Sequence, residues 1–344
     1  MQAVILAAGK STRTYPLTIT RPKPLLKVSN KSLLGHNLDN LNNIVDEVII
    51  IVGYKKEMIK KYFENKYKNI RIKYIEQKQQ LGTGHAALLA EPYIKDRFIL
   101  MAGDDIYSKE DISNCIKHRY SILTSKSKNA RDFGVVLEKN GILVDFIEKP
   151  KKFISDLINT SFYTFDRKIF YYLQRIKKSE RNEYELPDAI KLLSHKENIC
   201  CVKSKQWFPI VYAWDLLSAD NLLRKNRSII GKNTKIYNKI INSTIGNNCI
   251  IRGKIINSII MDNSVIENNS IVEDSVIGQS VHFSGKIKSK TDAISIIGHK
   301  KVKVKKLGSI IGDNVKANNV IVNAGCKIWP NISISDKVIE KDLI

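Results

Sequence analysis

Short apolar runs alternate with amphipathic stretches over roughly the first two thirds of the chain. Glu47–Val52 and Phe98–Ala102 are apolar and only a few residues long, which is typical of buried parallel strands. Helical periodicity fills the intervals, for example over 32–43 and 56–67. The same criteria predict strands at 4–6, 70–76, 132–136, 143–147 and 157–163, and a helix at 84–91. This alternation predicts an α/β domain over residues 1–226, with a mixed, mostly parallel sheet.

A different period begins near residue 227. Apolar residues recur there at six or a near multiple of six, as in Ile230, Ile236, Ile245, Ile251, Ile260, Ile266 and Val272. The tetrapeptides at 230–233, 245–248, 277–280 and 311–314 are near copies of one another. A hexapeptide repeat predicts a parallel β-helix, in which each rung buries apolar residues against the next. We therefore predict a second domain at 227–344, interrupted by an excursion loop at 285–306 that holds eight lysines.

Composition limits the classes of partner. The chain has 344 residues, 43% of them hydrophobic, and a formal net charge of +23. This length is enough for two domains. The charge suggests nucleic acid as one hypothesis, but no recognition motif is present and aromatic residues are not interleaved with the basic runs. We therefore expect no nucleic-acid partner, and a positive field that attracts anionic nucleotides instead.

The same composition bears on membranes and cysteine chemistry. No run approaches 18 apolar residues, so we expect no membrane span, and the chain opens on a strand rather than on a signal segment. The expected location is the cytoplasm. The five cysteines have no C-x-x-C spacing, so we interpret them as small buried hydrophobes rather than as disulfide or zinc positions.

The candidate chemistry begins directly after the first strand. Ala7, Ala8 and Gly9 form a small-residue turn, where backbone N–H groups can face an anion. Cations follow at Lys10, Arg13, Arg21, Lys23 and Lys27, in a segment stiffened by prolines 16, 22 and 24. A P-loop is excluded because Val4 stands where its first glycine belongs. A dinucleotide fingerprint is excluded because Ser11 and Thr14 replace its second and third glycines.

The pattern that remains is L-A-A-G-x-x-T/S-R-x-x-P-L-T-x-x-x-P-K, which runs from Leu6 to Lys23. It resembles the signature of the sugar-1-phosphate nucleotidylyltransferases. That resemblance implies a Rossmann-like nucleotidyltransferase domain followed by a left-handed β-helix. It also implies nucleotide contacts at Leu6, Ala8, Gly9, Lys10 and Ser11. Ser11 is a departure, because the family usually has glycine there.

A second motif follows the strand at 70–76. Gln77 and the run Gly82-Thr83-Gly84-His85-Ala86 resemble the Q-x-x-x-x-G-T-G-H-A segment of the same family. The resemblance implies that Gln77, Gly82 and Thr83 contact the base. Taken alone, Thr83 could equally cap a helix. We interpret His85 as structural.

Asp104 and Asp105 follow the strand predicted at 98–102. A carboxylate in this position suits Mg²⁺, although Asp105 could instead cap a following turn. The family has a Gly-Asp pair here whose aspartate holds the catalytic Mg²⁺, and Gly103-Asp104 matches it.

The next matches concern the sugar phosphate. The resemblance implies that Gly134 contacts the sugar, that Glu148 and Asn159 bond sugar hydroxyls, and that Lys149 meets the phosphate. Ser161 replaces a usual glycine. Taken singly, Glu148 and Lys149 would be a surface pair of little energetic consequence.

One departure bears on the metal. Residues 207–216 align with the family pattern W-x-D-x-G-x-P-W-D-L, whose first aspartate is often a second Mg²⁺ ligand. Pro209 stands at that position, and Val211 replaces the glycine. Since Mg²⁺ keeps several waters and binds phosphates readily, one carboxylate can suffice.

The resemblance as a whole implies transfer of a nucleotidyl group from UTP or dTTP to a sugar 1-phosphate, with Mg²⁺ as cofactor and Arg13, Lys23 and Asp104 as catalytic residues. One alternative is a bifunctional enzyme that also acetylates an amino-sugar phosphate. Another is a catalytically weakened, nucleotide-binding regulatory homologue. Asn268 falls where bifunctional relatives carry their acetyltransferase histidine, so we expect the β-helix to serve as a trimer-forming scaffold.

Overall fold

The computed structural model describes the backbone of residues 1–344 and every side chain except that of residue 132. The chain forms two compact units. One consists of Met1–Gly9 and Leu34–Pro209, and the other of Lys10–Leu33 and Ile210–Ile344. The boundary predicted at residue 227 falls inside the second unit.

A mixed ten-stranded sheet forms the centre of the first unit. In spatial order its strands are Gly134–Lys139, Ile142–Glu148, Cys200–Lys203, Ser121–Lys126, Leu157–Phe165, Phe98–Ala102, Gln2–Ala7, Glu47–Val52, Ile70–Glu76 and Lys66–Tyr67. Four neighbouring strands, Phe98–Ala102 to Ile70–Glu76 in this order, run parallel, as the apolar runs predict.

The order of these parallel strands reverses at Gln2–Ala7. The chain adds Glu47–Val52 and then Ile70–Glu76 on one side of it, and returns to add Phe98–Ala102 on the other side. In open α/β sheets, ligands bind at such a switch point, beyond the carboxyl ends of the strands. Ile5 and Ile50, which pair across the first two strands, are fully buried.

Helices and short turns connect the strands of this unit. The α-helices are Leu33–Leu41, Lys56–Phe63, Thr83–Leu88, Lys109–Cys115, Lys168–Leu173 and Leu186–Ser194, and the 3-10 turns are Glu91–Tyr93 and Ala130–Asp132. The helix predicted over 56–67 ends at Phe63, because Lys66–Tyr67 turns back and pairs with Ile70–Arg71. The helix predicted over 84–91 is Thr83–Leu88, followed by a separate 3-10 turn.

The second unit contains stacked sheets of short parallel strands. One sheet has six strands: Ile229–Ile230, Thr244–Ile245, Ile259–Ile260, Val276–Ile277, Ile310–Ile311 and Lys327–Ile328. The other has ten: Lys235–Ile236, Ile240–Ile241, Ile250–Ile251, Lys254–Ile256, Val265–Ile266, Ile271–Glu273, His282–Ile287, Lys316–Val322, Ser333–Ser335 and Val338–Ile339. Repeat isoleucines such as Ile245, Ile260 and Ile277 align in register and are buried. The arrangement confirms the parallel strands predicted from the repeat and is consistent with the left-handed β-helix that the family resemblance implies.

Asparagine occupies many of the turns between these strands. Asn233, Asn248 and Asn263 all have left-handed backbone angles, which asparagine tolerates better than most residues. Their side chains form a ladder, with Nδ2 of Asn248 donating to Oδ1 of Asn263 over 3.1 Å. The frequent asparagines of the repeat therefore have a structural explanation.

The lysine-rich excursion at 285–306 is ordered rather than a loop. Lys290–Ile297 and Lys300–Leu307 pair as an antiparallel hairpin. Alternation in both strands buries Ala293, Ser295 and Val304 on one face and leaves Lys301, Lys303 and Lys305 exposed on the other. A period of two, in place of the six of the repeat, is the signal in the sequence for this hairpin.

The second unit also includes residues 10–33. They form the 3-10 turns Thr12–Thr14 and Lys23–Leu25 and the paired strands Lys27–Val28 and Lys31–Ser32. The helix Asp215–Leu223 belongs to the same unit. Across the part of the chain that the structure describes, no helix is long and apolar enough to cross a membrane.

Candidate active site

The turn after the first strand is built for close approach to a ligand. The carbonyl oxygen of Ala8 accepts hydrogen bonds from Nε2 of Gln80 over 2.7 Å and from the backbone N–H of Tyr54 over 3.0 Å. Gly9 follows, and a Cβ there would meet no protein atom within 4 Å. Among the described residues, packing therefore does not require a glycine at this position, and the turn leaves room beside its backbone.

Gly103 lies beside this turn at the switch point of the sheet. Its N–H donates to the carbonyl oxygen of Leu6 over 2.9 Å. A Cβ on Gly103 would lie 2.8 Å from Ile5 Cγ2 and 3.2 Å from Ala7 Cβ, so only glycine fits. This packing places Asp104 at the carboxyl end of its strand, next to the strand that leads into Ala8 and Gly9.

Hydrogen bonds to Asp105 fix the turn that carries Asp104. Its carboxylate accepts from Nε1 of Trp207 over 3.2 Å, and its carbonyl oxygen accepts from Nδ2 of Asn37 over 2.7 Å. The same Asn37 accepts from the N–H of Tyr107 through Oδ1. The turn that carries Asp104 is thus fixed from both sides.

The strand pair next to this turn shows where residue 209 lies relative to Asp104 and Asp105. Trp207 and Phe208 pair antiparallel with Tyr107 and Ile106. Continuing that register by one residue puts Pro209 opposite Asp105. A carboxylate at 209 would therefore lie beside the Gly103-Asp104 turn, whereas proline offers no ligand.

The side chain of Gln77 bonds to the segment that follows it, residues 82–85. It is 5% exposed, and its Nε2 donates to the carbonyl oxygen of Gly82 over 3.1 Å. The same nitrogen lies 3.0 Å from Nδ1 of His85. Burial lowers the pKa of His85, so the ring is neutral at pH 7 and Nδ1 can accept. This agrees with the structural interpretation of His85.

Gly82 and Thr83 pack against a neighbouring loop. Gly82 has φ +101, and a Cβ there would lie 2.5 Å from the carbonyl oxygen of Tyr184. Oγ1 of Thr83 accepts from the N–H of Leu186 over 3.2 Å, which satisfies one free donor at the start of the helix Leu186–Ser194. Thr83 is exposed, and its hydroxyl hydrogen can still be donated.

Glu148 lies at the centre of a charged cluster. Its strand, Ile142–Glu148, is next to the edge strand Gly134–Lys139 of the sheet. It pairs with Gly134, where a Cβ would lie 2.8 Å from Oε2 of Glu148 and 2.5 Å from the ring of Phe146. Nζ of Lys149 lies 3.8 Å and Nη2 of Arg181 3.6 Å from Oε1 of Glu148. Burial raises the pKa of the Glu148 carboxyl, and the charges of Lys149 and Arg181 oppose that shift.

Asn159 lies on the strand Leu157–Phe165 and is 8% exposed. Its Oδ1 accepts from the N–H of Ser161 over 2.9 Å. Ser161 has φ +60. The serine that replaces the family's glycine therefore adopts the left-handed conformation that glycine favours, at a cost of about 1 kcal/mol.

Ser11, in the second unit, repeats this observation. It has φ 53 and ψ 55, again left-handed. Its carbonyl oxygen accepts from Oγ1 of Thr14 over 2.7 Å and from Oγ1 of Thr18 over 2.9 Å, and both threonines are buried. These bonds offset the local strain and fix the turn from which Arg13 projects.

Asp215, in the same unit, lies within electrostatic range of Arg13 and Lys23. Oδ2 of Asp215 accepts from the N–H groups of Val211 over 2.8 Å and Tyr212 over 2.7 Å. Burial raises the pKa of Asp215; these two hydrogen bonds and then the charges of Lys23 and Arg13 act against that rise. Arg13 is exposed, whereas Lys23 is 6% exposed.

Comparison with known proteins assigns the family. The family model described as Nucleotidyl transferase matches residues 2–226. The protein named Bifunctional protein GlmU from Methanocaldococcus jannaschii is 34% identical over 394 residues, which cover 100% of this chain and 96% of that protein. The chain belongs to the sugar-1-phosphate nucleotidylyltransferases.

Two further similarities are consistent with this family. The UTP–glucose-1-phosphate uridylyltransferase AglF of Haloferax volcanii is 36% identical over 203 residues, which cover 56% of this chain and 83% of AglF. A solved structure of UDP-glucose pyrophosphorylase complexed with UDP-glucose has a TM-score of 0.58 at 23% identity, covering 66% of this chain and 99% of that one. The structural likeness supports the fold of the nucleotidylyltransferase region.

Arg181 in the first unit and Asp215 in the second are two charged residues that the sequence prediction did not assign to a site. Arg181 stands in a polar stretch with no motif, and only the folded chain brings it to Glu148 and, over 2.8 Å, to Glu185. Asp215 belongs to the W-D-L end of the motif at 207–216, so the sequence singles out the residue. The sequence does not indicate that Asp215 lies near Arg13 and Lys23, because some 190 residues separate them.

Proposed function

We propose that this enzyme transfers a uridylyl or thymidylyl group from UTP or dTTP to a sugar 1-phosphate, with Mg²⁺ as cofactor. A phosphate oxygen of the sugar 1-phosphate attacks the α-phosphorus, and the bond from the α-phosphorus to the bridging oxygen breaks. The products are a nucleotide sugar and pyrophosphate. The observation that carries the proposal is the Gly103-Asp104 turn, packed on Leu6 at the point where the strand order reverses.

Asp104 is the residue proposed to hold the metal. Among the residues described, no group of three or more His, Cys, Asp or Glu side chains could hold a metal ion alone. That fits Mg²⁺, which binds through one or two carboxylates together with waters and substrate phosphates. When bound, Mg²⁺ neutralises charge on the phosphate oxygens.

The cations have separate proposed tasks. Arg13 opposes charge that grows on the leaving pyrophosphate, and Lys23 stabilises charge at the α-phosphate. Asp215 fixes their electrostatic surroundings. The backbone of Leu6, Ala8, Gly9, Lys10 and Ser11 is assigned to the triphosphate.

The remaining residues are assigned to the base and the sugar. Gln77, Gly82 and Thr83 are proposed to contact the base, with Oε1 of Gln77 as an acceptor. Gly134, Glu148 and Asn159 are proposed to contact the sugar, and Lys149 its phosphate. Positioning of this kind accounts for much of the rate in reactions that need no protein nucleophile.

A pyrophosphate-release screen tests the proposal. UTP, dTTP, CTP, ATP and GTP are each combined with glucose 1-phosphate, N-acetylglucosamine 1-phosphate and galactose 1-phosphate, with Mg²⁺ or with EDTA. The proposal expects release with UTP or dTTP, abolished by EDTA. Nucleotide binding without release from any pair would favour the regulatory alternative.

A second activity is the alternative that the β-helix raises, because the M. jannaschii relative is called bifunctional and aligns with the whole chain. The specific observation in its favour is the pair formed by Nε2 of His282 and Oε1 of Glu267 at 3.0 Å. Against it, Asn268 occupies the expected histidine position, and an amide cannot act as a base near neutral pH. We therefore propose that the β-helix acts as a scaffold for a homotrimer.

A further inference from the structure

Two cations of the signature segment, residues 10–33, are held by the β-helix. Arg21 donates from Nη2 to Oδ2 of Asp313, and Nζ of Lys27 forms an ion pair with Oδ2 of Asp262. All four side chains are largely buried, and that of Asp313 is 5% exposed. Both cations lie in the stretch that the sequence assigned to phosphate, yet their charges are matched by these carboxylates.

The two aspartates occupy one repeated position. Successive rungs place residues 232, 247, 262, 279, 313 and 330 two residues after aligned isoleucines. Aspartate stands at this position only in Asp262 and Asp313. A column of otherwise neutral or basic residues thus has acids at the two rungs that meet Lys27 and Arg21.

Each carboxylate is also anchored to its own helix. Oδ1 of Asp262 accepts from the N–H of Asn247 over 2.9 Å, and Oδ1 of Asp313 accepts from the N–H of Gln279 over 2.7 Å. One oxygen therefore bonds the neighbouring rung, and the other faces the signature segment. Neither carboxylate can follow a shift of the segment without breaking a rung hydrogen bond.

Lys23 lies between the two anchors. It comes two residues after Arg21 and four before Lys27, inside a tight turn closed by bonds from Leu25 to Pro22 over 3.0 Å and from Leu26 to Lys23 over 2.9 Å. Pro22 and Pro24 restrict the backbone on either side of it. A displacement of either anchor would therefore be transmitted to Lys23.

We propose that Asp262 and Asp313 are positioning residues for nucleotidyl transfer. They act through Arg21 and Lys27, and they hold Lys23 at the place where it stabilises the transferring phosphate. This inference rests on the role proposed above for Lys23. Misplacing a reacting group by about 1 Å can cost about a hundredfold in rate, so distant anchors of this kind can control kcat.

The test compares Asp262→Asn, Asp313→Asn and the double variant with wild type. Asparagine keeps an oxygen that can accept the rung N–H and removes only the charge. We expect kcat of the double variant to fall about 10- to 100-fold, with KM for UTP changed less than about threefold. Hydrogen exchange should become faster in residues 10–33 and stay unchanged in the strands Glu47–Val52 and Phe98–Ala102.

Asp274→Asn is the matched control. Asp274 is also buried in the β-helix, where Oδ2 pairs with Lys306 over 2.9 Å and accepts from Ser289. It does not contact residues 10–33 through these bonds. Its loss should lower Tm as much as the loss of Asp313 does, while kcat stays within about twofold of wild type.

A double-mutant cycle separates positioning from direct action. If Asp313 acts through Arg21, then Arg21→Gln combined with Asp313→Asn should lower kcat no more than Arg21→Gln does alone. Asp313→Glu, which keeps the charge, should recover most of the lost kcat. Should the double variant Asp262→Asn/Asp313→Asn fail to fold, this cycle and the single variants decide.

Two failures are distinguishable. If wild type releases no pyrophosphate from any substrate pair, the proposed function fails. If wild type turns over and the aspartate variants keep kcat within about twofold of it, the positioning role fails alone. Additive losses in the Arg21 cycle would likewise overturn it, by showing that Arg21 acts on substrate directly.

Discussion

The side-chain nitrogen of Gln77 lies 3.0 Å from Nδ1 of His85, and the same nitrogen donates to the carbonyl oxygen of Gly82. In the tautomer of His85 that carries its proton on Nε2, Nδ1 accepts from Gln77, and both amide hydrogens of Gln77 are then directed into the loop. The atom of Gln77 that can bond a base is therefore the acceptor Oε1, and the proposed base contact requires a hydrogen-bond donor on the base.

Uracil and thymine carry an N3–H donor that suits this acceptor. We expect kcat/KM for UTP or dTTP to exceed that for ATP and GTP by at least about tenfold. 3-Methyl-UTP, which lacks the N3–H, should lose about tenfold relative to UTP, whereas 5-methyl-UTP should not. Equal turnover of UTP and 3-methyl-UTP would show that Oε1 does not bind the base.

Asp104→Asn tests the metal ligand. We expect turnover to fall to below about a tenth of wild type at saturating Mg²⁺, since a sole carboxylate ligand contributes several kcal/mol to the transition state. Asp105→Asn is the control, because asparagine can still accept from Trp207 and should change turnover by less than about threefold. Pro209→Asp should reduce the Mg²⁺ concentration needed for half-maximal rate. Activity of Asp104→Asn close to that of wild type would exclude Asp104 as the ligand.

Arg13→Ala and Lys23→Ala address the charge that develops during transfer. We expect each to lower kcat by about 10²- to 10³-fold and to raise KM for the nucleotide by much less. The reason is that both cations are proposed to act on charge that is larger in the transition state than in the bound triphosphate. Steady-state kinetics at saturating Mg²⁺ provides the measurement, with exposed Lys126→Ala as the control. A change confined to KM would limit the two residues to binding.

Glu148 predicts a pH dependence for sugar-phosphate binding. Burial raises its pKa above the ordinary 4.5, so the carboxyl gains its proton at a higher pH than a typical glutamate. Because the ionised form is proposed to bond sugar hydroxyls, KM for the sugar phosphate should rise as pH falls through this raised pKa. Glu148→Gln should have a high KM that does not vary over the same range.

The raised pKa of Glu148 affects stability in the opposite direction: binding of the sugar phosphate should improve as pH rises, whereas the contribution of Glu148 to stability should fall. A raised folded-state pKa means that the contribution of Glu148 to the free energy of unfolding is present below the ordinary pKa and is lost as pH rises through the folded value. Glu148→Gln should therefore change Tm little at low pH and stabilise the protein relative to wild type at neutral pH. Equal pH dependence of Tm in both proteins would contradict the raised pKa.

The β-helix is predicted to assemble the protein without acetylating a substrate. Acetyl-CoA incubated with glucosamine 1-phosphate or galactosamine 1-phosphate should release no free thiol. Light scattering should give three times the chain mass of 39.2 kDa. Thiol release that disappears in His282→Ala would establish the second activity, and a monomer at micromolar concentration would exclude the scaffold role.

The sequence by itself determined much of the first unit and the type of the second. The strands Glu47–Val52, Ile70–Glu76 and Phe98–Ala102 have the predicted bounds, because each is a short run whose burial is encoded locally. The repeat predicted stacked parallel strands, since each rung shows the same six-residue pattern. The signature from Leu6 to Lys23 indicated the family, which comparison confirmed.

Only the tertiary structure decided how distant charges meet. Arg181 reaches Glu148, Asp215 lies near Lys23, and Asp313 binds Arg21, and nothing in the local pattern of any of these residues indicates its partner. The same holds for Lys66–Tyr67, where pairing with the strand Ile70–Glu76 overrode the local helical pattern. Periodicity reports which face of an element is buried, but the identity of the neighbour depends on how the whole chain folds.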